Sequence, residues 1–428
     1  MSRTLLTPGE ELLYLCSGWK AERIDTKKIQ YLARTLEDWD RFLQKARYHR
    51  LLPRLYFLLE RGHASAFLPP ETWKKIQAVY YKAQAEVLAH EGVFRILLPL
   101  FNRAGIDVML IKGAALLQTV YREKPVRFLL DIDLLVRREN FLRAQALLEE
   151  QRYQKMETRS FFPSVWHDKE LGDKMEKVAA TYVHPDTKTT IDLHREAFGE
   201  LDFFRFKPDW LWREAQPAFI DGQKVFLPHP TNLFLHVLFH LVRSAGSEEN
   251  FFGWYLDLDE CLRYFSDEID GSFCREIILS NPQTKQVLSI LIFLKTVLCS
   301  PLPGELESLI QGGNTNPIFL RSIFSCGDKF SRSTDPYWKD RREVFLFYWS
   351  RISGFRKKFL FIWHWLFPDP FYLETKYPFG NGSEKALAYL RHLGAMVLKG
   401  IHLLRRCGGR SVSRRKRYGG TSGRSSKH

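Results

Sequence analysis

A chain of 428 residues is longer than one hydrophobic core usually serves, and its 45% hydrophobic and 14% aromatic content excludes global disorder. The formal net charge of +15 would suggest a nucleic-acid or membrane partner, but nine Lys or Arg and no acid fall in residues 401–428, so much of the excess is a tail. Six cysteines without a C-x-x-C pair suggest neither a zinc knuckle nor a disulfide framework, and a cytoplasmic setting is expected, with the membrane surface as a second possibility for the tail.

In chain order, Pro8, Glu10 and Glu11 interrupt the apolar N-terminus, so no secretory leader is expected. From Gly9 to about Gly105 apolar residues recur at three- and four-residue steps, which predicts helices. Pro69 and Pro70 mark a helix start and Gly105 a stop. The run IDVMLI, Ile106 to Ile111, then predicts a buried strand, followed by a tight turn at Gly113 and the helical pattern KGAALLQTVY. After REKPVRFLL, the segment DIDLLV from Asp131 to Val136 predicts a second strand, and ENFLRAQALLEEQRY an amphipathic helix.

Two antiparallel pairs are expected next: KVAATYVHP with TKTTIDLHRE across Pro185-Asp186, and QPAFI with QKVFLP across Asp221-Gly222. Beyond Pro230 the pattern returns to helix through TNLFLHVLFHLVRSA, WYLDLDECLRYF, SFCREIILS and TKQVLSILIFLKTVLCS. Stretches rich in Pro and Gly at Ser300 and Gly312 mark a boundary before a section rich in Phe, Trp and Arg. Its densest part, FLFIWHWLF from Phe359 to Phe367, falls far short of the roughly 20 apolar residues a bilayer span needs. The longer string from Phe345 to Phe367 reads either as a membrane-surface segment or as a core helix pair, and core packing is the expectation. The tail reads as a disordered arm, which could contact anionic lipid or RNA or simply be solvated.

The chemistry is expected where acids converge. Strand alternation puts Asp131 and Asp133 on one face with Ile132 on the other. Like charges held that close repel, and a hard divalent cation with oxygen ligands removes the conflict. Asp192, in the similar apolar setting TTIDLH, could join them from a neighbouring strand and make a site for one or two Mg2+ ions. A lone D-x-D is more often a turn or a solvated edge, but the preceding strand, Lys112-Gly113 turn and helix suit a phosphate, because glycine lets the backbone approach it closely.

Other residues carry plainer readings. His236 and His240 lie one helical turn apart but lack the glutamate of H-E-x-x-H, so satisfied histidines facing the core or cleft are expected. Asp257 and Asp259 are two apart on a helix and point to different sides; Asp257 is either a substrate contact or an ordinary polar partner. Arg127 either grips a phosphate or pairs with one of the aspartates.

The string LIKGAALLQTVYREKPVRFLLDIDLLV, with Tyr153 closing the next helix and TIDLH beyond, resembles the uncharacterised nucleotidyltransferase-like family within the polymerase-beta nucleotidyltransferase superfamily. Lys112, Gly113, Tyr121, Arg127, Asp131, Asp133, Asp192 and His194 match its motif positions, and His240, Trp254 and Asp257 its later segments. The resemblance implies an α+β fold, a mixed-sheet nucleotidyltransferase palm flanked by N-terminal and C-terminal helical regions. The division would be 1–104 helical, 105–229 palm, 230–311 helical and closing the cleft, 312–400 aromatic-rich helical, and 401–428 basic tail. It further implies transfer of a nucleoside monophosphate from Mg-NTP to a hydroxyl acceptor, with Asp131, Asp133 and Asp192 catalytic and metal-binding. Lys112, Gly113, Ala114 and Arg127 would bind nucleotide, and His194, His240 and Asp257 substrate. Gly113-Ala114 departs from the Gly-Ser of many active superfamily members; Lys112 or backbone amides would then supply the phosphate contact. An inactive nucleotide-binding or scaffold protein of the same fold is the alternative.

Overall fold

The computed structural model describes residues 6–18, 24–121, 126–156, 179–198, 204–244, 251–313, 355–367 and 382–394, with isolated positions at 323, 373, 377 and 380. The chain divides into two compact units, Met1–Glu157 with Lys177–Leu346, and Thr158–Glu176 with Phe347–His428.

The first unit opens with helices α1 (Pro8–Leu15), α2 (Thr26–Thr35), α3 (Trp39–Tyr48) and α4 (Leu52–Arg61), followed by the long α5 (Pro70–Arg103). Their starts follow local chemistry. Thr7 and Glu10 form a reciprocal capping box at α1, Asp25 caps α2 and Asp38 caps α3, satisfying amides that no helical carbonyl reaches. The proline at the head of α5 loses no helical hydrogen bond there.

Beyond α5 lie β1 (Val108–Leu110), α6 (Lys112–Gln118), β2 (Ile132–Val136), α7 (Phe141–Glu150), β3 (Gln154–Lys155), β4 (Ala179–Val183), β5 (Thr190–His194), β6 (Gln216–Ile220) and β7 (Gln223–Leu227). They form a seven-stranded mixed sheet in the order β3-β4-β5-β2-β1-β7-β6. The hairpins β4–β5 and β6–β7 are antiparallel, as the turn residues between them dictate. The sheet is mixed because β2 runs parallel to β5 and β1 parallel to β7. All five residues of β2 are buried, as befits a central strand.

Helices α8 (Pro230–Ser244), α9 (Phe252–Tyr264), α10 (Gly271–Ser280), α11 (Thr284–Thr296) and α12 (Gly304–Leu309) complete the described part of this unit. In α8 thirteen of fifteen residues are buried, so it is enclosed nearly all round, not amphipathic. One continuous core joins these helices to α1–α6 and to the sheet. The architecture is α+β, with helices before and after the sheet.

In the second unit, α13 (Phe355–Leu366) and α14 (382–394) are described. The expected core packing of the aromatic segment does not hold for one face of α13: Phe355, Phe359 and Trp363 are all exposed, as is Phe367 just beyond it. Most of 312–354 and all of the 401–428 tail lie outside the described residues.

Candidate active site

The parallel register of β2 and β5 sets Asp133 directly opposite Asp192. Side chains on neighbouring strands at one register level share a face, so the two carboxylates meet. His194, two residues further along β5, lies on that face as well. One ligand atom from each of Asp133, Asp192 and His194 falls within 4.8 Å of the others, a group that could hold a metal ion. Two carboxylate oxygens and an imidazole nitrogen are a suitable donor set for a divalent cation, so the residues fit the ion that acidic strand pairs of this kind call for.

Asp133 is 3% exposed and would be costly to bury unpaired. Lys112 Nζ donates to its Oδ1 at 2.6 Å, and His194 Nε2 lies 3.0 Å from the same oxygen. Burial works against the carboxylate, but Lys112 and His194 outweigh it and hold Asp133 well below the usual range. Burial and the neighbouring Lys112 lower the pKa of His194, against the pull of Asp133 and Asp192. Thr181 of β4, the register partner of Asp192, donates to Asp192 Oδ1 at 2.6 Å.

Asp131 departs from its expected placement. It sits in a bend one residue before β2, not in the strand, and contributes no atom to the three-residue group. Burial, then the charges of Asp133 and Asp192, push its carboxyl up to about 6. Raised above an ordinary value of 3.8, it adds stability below pH 3.8 that is lost as pH rises through 6. Without divalent cation, Asp131→Asn should therefore be the more stable protein at pH 7.5, by about 2–3 kcal/mol. The gap should close at pH 4, as read from urea midpoints at the two pH values.

A second buried cluster stands behind the carboxylates. Arg127 Nε donates to both oxygens of Asp257 at 3.0 Å, and Tyr121 Oη donates to Asp257 Oδ1 at 2.9 Å. Arg54 of α4 donates to Tyr121 Oη at 2.6 Å and lies 3.7 Å from Glu260. Of the two readings of Arg127, the partner is an aspartate, but Asp257 of α9 and not one of the strand acids. Burial disfavours charge on Arg127, yet Asp257 and Tyr121 outweigh it and raise its pKa, with Asp131 adding to the effect.

Gly113 explains why Arg127 fits. A Cβ on Gly113 would collide with Arg127 Nη1 and come within 2.7 Å of Leu129 Cδ1. Glycine to alanine inside a helix ordinarily stabilises by up to about 1 kcal/mol. Here Gly113→Ala should instead destabilise by about 1–3 kcal/mol, because the guanidinium is held by Asp257 and cannot yield. Urea unfolding checks the sign.

The remaining candidates contribute no atom to the three-residue group. Ala114 is buried within α6. His240 packs its ring against Trp254, with centroids 4.9 Å apart. His236 is fully buried against Phe198 and Trp210, and neither ring nitrogen has a hydrogen-bond partner among the described residues, so it is a core histidine but not a satisfied one. Burial lowers the pKa of both histidines well below 6.5. Asp259 accepts from Arg263 and Ser300, away from Asp257's partners.

Three residues escaped sequence reasoning. Arg54 had a signal: it interrupts the apolar stripe of Leu51, Leu55 and Leu58, where a lone charge implies a buried partner. Thr181 had one too, as the polar residue opposite Asp192 in the antiparallel pair. Arg50, in the left-handed region at φ 60°, lowers the pKa of Asp131 and stacks 4.2 Å over the Phe251 ring; no local pattern announces it.

Residues 35–297, more than half of the chain, match the family described as uncharacterised nucleotidyltransferase. The chain belongs to this family. Every residue of the carboxylate group and of the Arg54–Tyr121–Asp257–Arg127 cluster lies inside the matched span. Among solved structures, an antigenic nucleotidyltransferase-like protein from Paracoccidioides brasiliensis is similar at 15% identity and TM-score 0.31, over 50% of this chain and 93% of that one. No curated protein matches the chain. Among the described residues, no helix of this nucleotidyltransferase-family protein is long and apolar enough to cross a membrane.

Proposed function

We propose that this protein transfers a nucleoside monophosphate from a nucleoside triphosphate to a hydroxyl group of an acceptor, with Mg2+ as cofactor. The observation that carries the reading is the Asp133–Asp192 register across two parallel strands, with Lys112 and His194 on the same carboxylate. Asp133, Asp192 and His194 would hold the divalent cation, which when bound neutralises charge on the triphosphate and on the departing pyrophosphate.

The chain's own groups account for the rest. Lys112, at the start of α6, places a cation beside the carboxylates and in reach of a phosphate, taking the place of the hydroxyl that Ala114 lacks. Arg50 and Arg127 add positive charge around Asp131. Asp131, which contributes no atom to the three-residue group, would accept the proton of the attacking hydroxyl. As that oxygen bonds to the α-phosphorus, the bond to the β-phosphate oxygen breaks and pyrophosphate leaves. Isothermal titration with Mg-ATP, together with labelled ATP, CTP, GTP and UTP offered in cell extract, tests the proposal. Binding and labelling should vanish in the Asp131→Asn, Asp133→Asn double variant, and wild-type behaviour in that variant would refute it.

A further inference from the structure

The charge of the chain is not spread evenly. Residues 347–428 hold 17 Lys or Arg against three Asp or Glu, while the 346 residues before them balance to one net positive charge. The same segment carries an exposed apolar ridge. Phe355, Phe359 and Trp363 follow one another at four-residue steps along α13, with Phe367 four further on just past its end, and side chains so spaced lie on one side of a helix. They are 89%, 55%, 49% and 36% exposed. The Trp363 and Phe367 rings lie 4.5 Å apart, and Phe367 faces Tyr389 of α14, whose Leu387 and Leu390 are exposed too.

Large apolar side chains left in water on a folded unit mark a surface meant to be covered. The charge says by what. A second copy of the chain would set two strongly basic segments against each other, which disfavours self-association. A polyanion suits such a surface, and nucleic acid and an anionic bilayer both qualify. Nucleic acid is gripped by aromatic rings that stack on bases along a basic groove. The aliphatic Leu387 and Leu390 offer no stacking face, and a ridge is not a groove. A short helix with Phe355, Phe359 and Trp363 along one side, in a segment this basic, instead suits the interface of a bilayer, where rings enter the acyl boundary and an anionic surface attracts positive charge.

We propose that the α13 ridge of Phe355, Phe359, Trp363 and Phe367 is a docking surface for an anionic lipid bilayer, held at the interface and not inserted across it. The reading is independent of the transferase proposal. Full-length protein should sediment with vesicles of phosphatidylcholine and phosphatidylserine but not with phosphatidylcholine alone, and raised salt should release it. The triple variant Phe355→Ser, Phe359→Ser, Trp363→Ser should bind at least about tenfold more weakly. These positions are exposed, so the fold should survive; hydrogen exchange over 355–367 in wild-type protein supplies a second readout, slowing when anionic vesicles are added. Four outcomes would overturn the proposal: no vesicle binding, triple-variant binding equal to wild type, retention by RNA but not vesicles, or a wild-type dimer that the triple substitution dissolves without any vesicle binding.

Discussion

Label transfer from an α-labelled nucleoside triphosphate should fall by about a thousandfold or more when Asp133 is replaced by Asn. The substitution keeps the shape of the side chain and removes its charge. Asp133 is the carboxylate on which the arrangement converges: it faces Asp192 across β2 and β5, takes a hydrogen bond from Lys112 at 2.6 Å and adjoins His194 at 3.0 Å. Removing one of two facing carboxylates takes away half of the charge that would hold a divalent cation and so lowers its affinity. Asp192→Asn should act in the same direction. Because Asp192 also accepts from Thr181, Thr181→Val should raise the metal requirement without abolishing transfer. Activity of Asp133→Asn within tenfold of wild type would count against the assignment.

The largest stability effect is expected behind the site. Asp257 is 3% exposed and accepts from Arg127 twice and from Tyr121 once, while Tyr121 accepts from Arg54. Asp257→Ala would leave the Arg127 guanidinium buried without its carboxylate. Breaking a buried pair by removing one partner costs about 3–5 kcal/mol, and urea midpoints should show a loss of that size. Tyr121→Phe deletes only a hydroxyl between partners and should cost about 1–3 kcal/mol. The double variant Arg127→Met, Asp257→Leu should recover part of the Asp257→Ala loss, since apolar residues of similar volume can replace a buried ion pair. A midpoint for Asp257→Ala equal to wild type would mean that the cluster does not hold the fold.

The fold class was legible because local signals agreed. The apolar runs at Val108–Leu110 and in IDLLV and the turn residues between the two hairpins each select one conformation from short-range sterics, whereas the tight turn expected at Gly113 falls one residue earlier: Lys112 has φ 48° and Gly113 already lies within α6. What could not be read locally was register. Nothing within IDLLV or TIDLH says that β2 and β5 run parallel and level, yet that alignment makes Asp133 and Asp192 neighbours. Asp131, expected at the start of the strand, lies in a bend one residue before it and outside the group its neighbour joins. His194 lies against Asp133 because it is two residues along the same face as Asp192.

Long-range pairing hid the rest. Arg127 and Asp257 are 130 residues apart, and each alone could have been a ligand contact. Their bond takes Arg127 Nε out of play and lets the glycine at 113 be understood as clearance for a fixed guanidinium. In the aromatic segment the competing readings turned on which way Phe355, Phe359 and Trp363 face, and helical periodicity gives a stripe without saying whether core or solvent receives it.

Crystals of the protein grown with Mn2+, read by anomalous scattering, would show whether Asp133 and Asp192 share an ion. The account predicts a peak within about 2.0–2.6 Å of carboxylate oxygens of both Asp133 and Asp192, with the His194 ring turned toward it and Lys112 displaced from Asp133. A map in which Asp133 stays bound to Lys112, Asp192 to Thr181 and no ion lies between them at saturating Mn2+ would contradict it.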